Sequence, residues 1–98
     1  MEKVSLGKER RYSLSRTRDG AGDSGMMLRS LDPKTGNQAG EFGDIVVGHV
    51  IQCGTQFART FGSDWWMTTP VTEIISVNED KTEVVFKTGN SEYKARSF

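Results

Sequence analysis

The sequence holds one cysteine and two prolines in 98 residues. The single thiol, Cys53, excludes an internal disulfide and a cysteine-based zinc cluster within one chain. Nothing in it calls for an oxidising compartment. So little proline excludes a polyproline or mucin-like segment. No apolar run approaches the ~20 residues that a membrane helix needs. Lys3, Lys8, Arg10 and Arg11 stand near the N-terminus with no apolar stretch after them, which argues against a secretory signal. The expectation is a cytoplasmic protein that does not engage membranes.

One-sided charge is also missing. Formal net charge is zero, from 13 basic and 13 acidic residues. The two signs are unevenly spread, however. Lys3, Lys8, Arg10, Arg11, Arg16, Arg18, Arg29 and Lys34 outnumber the acids before Gly40. Between residues 41 and 80 the only Lys or Arg is Arg59, against Glu41, Asp44, Asp64, Glu73, Glu79 and Asp80. Such asymmetry places a basic and an acidic face on one small body. It argues against indiscriminate nucleic-acid binding, which needs a strongly basic domain.

Glycine, by contrast, is abundant: 11 residues, eight of them before Val50. The first half therefore reads as loops and short strands, the second half as core. A chain of this length makes one domain, residues 1–98, with a thin stability margin. Residues 1–9 and 35–43 are expected to be flexible. Residues 11–16 alternate, with Tyr12 and Leu14 on one side, and predict a short strand. Residues 17–25 hold three glycines and two aspartates and read as a loop. Residues 26–31 are a second short apolar segment, able to pair with the first as a hairpin. Residues 45–52 are β-branched and predict a central strand, with a bulge or bend at Gly48.

The clearest part is residues 70–98, which reads as a three-stranded meander. Val71–Val77 is β-branched. Residues 78–81 (Asn-Glu-Asp-Lys) make a turn. Val84 and Phe86 share one face of the next strand. Gly89-Asn90 has the composition of a type II′ hairpin turn, with Gly at the first central position. Tyr93 and Ala95 then point inward, and Glu92, Lys94 and Arg96 outward into water.

No group of residues carries a catalytic pattern. His49 and Cys53 lie four apart, which on a strand separates them by roughly 13 Å. They do not form a nucleophilic pair there, and each reads as structural. The Asp/Gly segment 19–25 lacks the ligand number and terminal Glu of a calcium loop, and the Gly-Lys-Ser/Thr ending of a phosphate loop. Glu73 interrupts the apolar stripe of Val71, Ile75 and Val77, which suggests a strand edge or a structural ion pair. No metal, cofactor or enzymatic activity is expected.

The sharpest signal is aromatic. Phe57, Phe61 and Trp65 recur every four residues, with Gly54-Thr55 before and Gly62 within the run. Thr55 and Gly62 are suited to cap a short helix over 56–61. Trp65 and Trp66 follow. On an extended chain they point to opposite faces, so one is expected partly outside the core. The bland alternative is that both plug the core. The preferred binding patch is Arg59, Phe61, Asp64, Trp65, Trp66 and Met67, since exposed tryptophan is a common interface anchor. The alternative is a nucleic-acid surface of Lys8, Arg10, Arg11, Tyr12, Arg16 and Arg18 beside the tryptophans.

Two strings in the last third, W-M-T-T-P-V-T-E-I from Trp66 and V-V-F-K-T-G-N-S-E-Y from Val84, resemble the C-terminal signature of short bacterial and phage-borne proteins. No residue role carries over with that resemblance. It implies a small accessory or inhibitory binding protein rather than an enzyme. The reading is a mainly β fold: a small antiparallel sheet or barrel of about five to six strands, with the C-terminal meander and one short helix. The expected function is a non-enzymatic module that engages a protein partner. The alternative is a small-barrel nucleic-acid binder. A homo-oligomer through a strand edge, such as that of residues 91–97, is a further possibility.

Overall fold

Short runs with period-two hydrophobicity, broken by glycine and turn residues, do form strands here. The computed structural model describes residues 2–7, 11–55 and 65–98. Those residues build eleven strands: β1 Lys3–Ser5, β2 Tyr12–Arg16, β3 Gly22–Gly25, β4 Met27–Leu31, β5 Gln38–Ala39, β6 Asp44–Val46, β7 Val50–Gly54, β8 Trp65–Met67, β9 Val71–Val77, β10 Glu83–Thr88 and β11 Glu92–Ser97. No helix occurs among the described residues. The helix expected over 56–61 falls outside them.

All pairings are antiparallel. One sheet has the order β3-β2-β11-β10-β9, a second β5-β4-β7-β8, and β1 pairs with β6. Among the described residues the sheets stay open and no closed barrel forms, and the strands outnumber the five or six expected. Tyr12, Leu14, Val84, Phe86, Tyr93 and Ala95 from the five-stranded sheet meet Leu28, Ile51 and Cys53 from the four-stranded sheet in one core. Leu6 and Ile45 join them. Each large side chain buried this way contributes about 1.5–3 kcal/mol.

The meander forms as β9, β10 and β11. Phe86 pairs with Tyr93, their rings stacked at 5.7 Å. The Asn78 carboxamide oxygen accepts from the Thr82 and Glu83 amides and shapes the first turn. At the second turn, Gly89 does not take a positive φ, so the type II′ geometry is not adopted. There the Thr88 amide donates to the Ser91 carbonyl at 2.8 Å instead. β11 lies between β10 and β2, so it is an interior strand, not the open edge expected of residues 91–97.

Three other segments depart from the expectation. The hairpin partner of β2 is β3, inside the segment read as a loop. Its glycines serve close approach: a Cβ on Gly22 would strike the Leu14 carbonyl, and one on Gly25 the Gly54 carbonyl. Met27–Leu31 joins the other sheet, against β7. The single central strand expected over 45–52 is two strands in two sheets. The chain bends at Gly48, where φ is +89°. Within 35–43, Gln38–Ala39 pairs with β4.

Buried Asp44 ties β1 and the β5–β6 connection together. Its carboxylate accepts from the Ser5 hydroxyl at 2.6 Å and the Glu41 amide at 3.0 Å, and Lys3 Nζ lies at 3.5 Å. Burial opposes its ionisation, but those donors prevail and hold its carboxyl below the ordinary carboxylate value.

Candidate functional site

The site is built around β8, the last strand of the four-stranded sheet. Trp66 turns inward and is half-buried against the core. Its indole N–H donates to the Tyr93 hydroxyl at 3.3 Å. The Arg16 guanidinium lies 5.2 Å from its ring centroid. Asp19 engages the same guanidinium from Nε at 3.0 Å and Nη2 at 2.8 Å. The Arg16 hydrogen bond, followed by that of the Ala21 amide, lowers the Asp19 pKa to about 2. Trp66 is thus committed to holding the two sheets together.

Trp65 and Met67 point the other way and are 37% and 48% exposed. Pairing places Trp65 opposite Gly54, and Met67 opposite Gln52. Beyond them on the same side of the sheet lie Met27 of β4, which is buried, and Arg29, which is half-buried. Arg29 Nε donates to Gln52 Oε1 at 2.8 Å, and Nη1 to Gln38 Oε1 at 3.3 Å. Sequence reasoning missed this Gln38–Arg29–Gln52 row. Its members are far apart in the chain, and only strand register aligns them.

The backbone of β8 matters as much as its side chains. The Thr68 amide donates to the Ile51 carbonyl at 2.9 Å, so Ile51 and Thr68 form a hydrogen-bonded pair. Pair types alternate along an antiparallel ladder. Cys53–Trp66 is therefore also a bonded pair, and Gln52–Met67 and Gly54–Trp65 are not. The N–H and C=O groups of Trp65 and Met67 consequently face away from β7, on the side where no described strand pairs with β8.

The seven-residue edge strand β9 is different. Its register against β10 shifts twice, between Val85 and Phe86 and between Lys87 and Thr88. Thr72 and Ile75 are the extra residues, so Val71, Ile74 and Val77 rather than every second residue oppose Thr88, Phe86 and Val84. Bulges twist an edge out of the flat geometry that another strand needs. Glu73 is exposed on this edge, opposite Lys87. The register of β8 has no shift, and none of its three residues is charged.

Of the expected protein-binding patch, Trp65 and Met67 share the outer face and Trp66 lies on the inner one. Arg59, Phe61 and Asp64 lie outside the described residues. Of the nucleic-acid alternative, Lys8 and Arg10 also lie outside them. Tyr12 is 4% exposed and belongs to the core, so it offers no stacking surface. Arg16 is engaged by Asp19 and Trp66. Arg11 and Arg18 are exposed. His49 is buried, with Nδ1 3.3 Å from the Val47 carbonyl. Burial, and then the Asp23 charge, push the Cys53 thiol up to about 12.

No protein-family model, curated protein or solved structure matches the chain. Among the described residues no helix is long and apolar enough to cross a membrane.

Proposed function

We propose that the protein is a non-enzymatic binding module that engages a protein partner through the side of β8 that no described strand pairs with. The observation that carries this reading is that Trp65 and Met67 present exposed side chains and outward main-chain groups from one short, uncharged, bulge-free strand. An extended partner strand finds both requirements of strand addition there: main-chain bonds for affinity and side-chain contacts for specificity. The resemblance of the last third to phage-borne proteins suits a small accessory or inhibitory role in the cytoplasm. The test is capture of a partner on immobilised protein from nuclease-treated lysate. Folded Trp65→Ala and Met67→Ala variants are expected to lose it. Undiminished capture by both overturns the reading.

The nucleic-acid reading draws on Arg11 and Arg18, which are exposed at opposite ends of β2. It predicts a mobility shift that weakens steeply with salt as counterions are released. The absence of any shift at low salt removes it.

A further inference from the structure

We infer that Arg29 of β4 is a binding site for a single carboxylate, supplied by an acidic side chain of the protein partner. The carrier of the carboxylate rests on the reading of the protein as a protein-binding module, whereas the site rests on Arg29 and its two glutamines alone. Strand register sets Arg29 opposite Gln52 of β7. Arg29 Nε donates to Gln52 Oε1 at 2.8 Å, and Nη1 to Gln38 Oε1 at 3.3 Å. The Gln38 carboxamide is itself oriented, because its Nε2 donates to the Gly40 carbonyl at 3.1 Å. The guanidinium is therefore held by two strands before any ligand arrives. Among the described residues no other acceptor bonds it. The other Nη1 proton and both Nη2 protons remain. They form the end-on fork that matches the two oxygens of a carboxylate.

Both glutamines are neutral, so they orient the cation without cancelling its charge. The ion pairs of the described residues join Lys3 to Asp44, Arg16 to Asp19 and Lys94 to Glu83, and none reaches Arg29. Its neighbours on the same face of β4, Met27 and Leu31, are apolar and buried. A cation in such surroundings is costly to leave unpaired and attracts an anion more strongly than one in water. Arg29 is half-buried and Gln38 exposed, which places the site at the surface. A carboxylate neutralises the single positive charge, whereas a phosphate would leave excess negative charge beside Met27 and Leu31. On the far side of Gln52 from Arg29 stands the exposed Met67. Two strand spacings, roughly 10 Å, separate Met67 from Arg29. The partner therefore presents an acid and an apolar group at about that separation.

Side-chain proton–nitrogen NMR of the full chain tests this, with the Arg29 Nε–H signal assigned by its loss in Arg29→Lys. The probes are an acetylated triglutamate amide, its triglutamine counterpart and inorganic phosphate, at matched ionic strength. Triglutamate is expected to shift the Arg29 Nε–H and Gln52 carboxamide signals saturably, and triglutamine to leave them in place. Arg11 and Arg18 are exposed and serve as controls within the molecule, with little shift expected. Arg29→Lys keeps the charge but loses the fork, and is expected to weaken triglutamate binding at the Gln52 signal about tenfold. Far-UV circular dichroism confirms its folding. Absence of a saturable shift at Arg29 overturns the inference, as do equal shifts at Arg11 and Arg18 or an equal response to triglutamine. Tighter binding of phosphate overturns the carboxylate assignment, and undiminished affinity in folded Arg29→Lys overturns the fork. Where triglutamate fails but Trp65→Ala and Met67→Ala still lose a captured partner, the protein-binding reading stands and the Arg29 site falls. Where triglutamate binds and those variants capture undiminished, the fault lies in the reading of β8 instead.

Discussion

The indole N–H of Trp66 donates to the Tyr93 hydroxyl across 3.3 Å and so joins β8 of one sheet to β11 of the other. Trp65, its neighbour in sequence, points away from both. Trp66→Ala is therefore expected to cost about 3 kcal/mol, near the lower end for large-to-small core changes. Trp65→Ala is expected to cost under about 1 kcal/mol, as for an exposed site. Urea denaturation of the two variants measures the difference, and equal costs would refute the division of roles.

Gly25 packs so closely on the Gly54 carbonyl that no side chain fits. Gly25→Ala is expected to destabilise by about 3 kcal/mol, as overpacking of a tight contact does. Gly89→Ala meets nothing within 4 Å and is expected to be close to neutral. Thermal melts of the pair check this.

Acid should weaken the Arg16–Asp19 contact. The folded-state pKa of Asp19 is lowered from 3.8 to about 2. A depressed carboxylate adds stability that is complete above its unfolded value and is lost as pH falls through its folded value. Asp19→Asn is therefore expected to flatten the stability profile between about pH 4 and pH 2. Urea midpoints across that window show it, with wild type and variant converging at the acid end. Solvent exposure of Asp19 keeps the effect small.

Cys53 is fully buried, its Sγ 3.6 Å from the Asp23 carbonyl, and burial pushes its thiol up to about 12. Thiolate is the reactive form, so native protein at pH 8 is expected to resist Ellman's reagent. Labelling should appear only with denaturant, in step with unfolding. Rapid labelling of the native chain would contradict the burial.

The Ser97 hydroxyl is buried and has no hydrogen-bond partner among the described residues. Removing such a group relieves a desolvation cost, so Ser97→Ala is expected to stabilise by about 1 kcal/mol. Chemical denaturation provides the measure.

Residues 70–98 were legible because each strand of the meander pairs with its sequence neighbour, and alternation within it marks the faces. The pairing of β2 with β3 was not. Gly22–Gly25 has the composition of a loop, and its glycines are required by Leu14 and Gly54, contacts that lie outside the segment. Likewise, the Val71, Glu73, Ile75, Val77 stripe assumed strict period two, and two bulges changed the phase.

At the candidate site, alternation of successive side chains on an extended chain pointed to Trp65 and Trp66 facing opposite ways, with both in the core left as the alternative. It also determined that the aromatic segment leading into Pro70 differs from the scaffold after it. Only the tertiary structure decided which tryptophan is inside, through Tyr93 and Arg16 on strands remote in sequence. It alone decided that, among the described residues, β8 is paired on one side and β11 on both. An edge is defined by the absence of a neighbour on one side, and neighbours in a sheet are set by long-range pairing that local patterning does not encode.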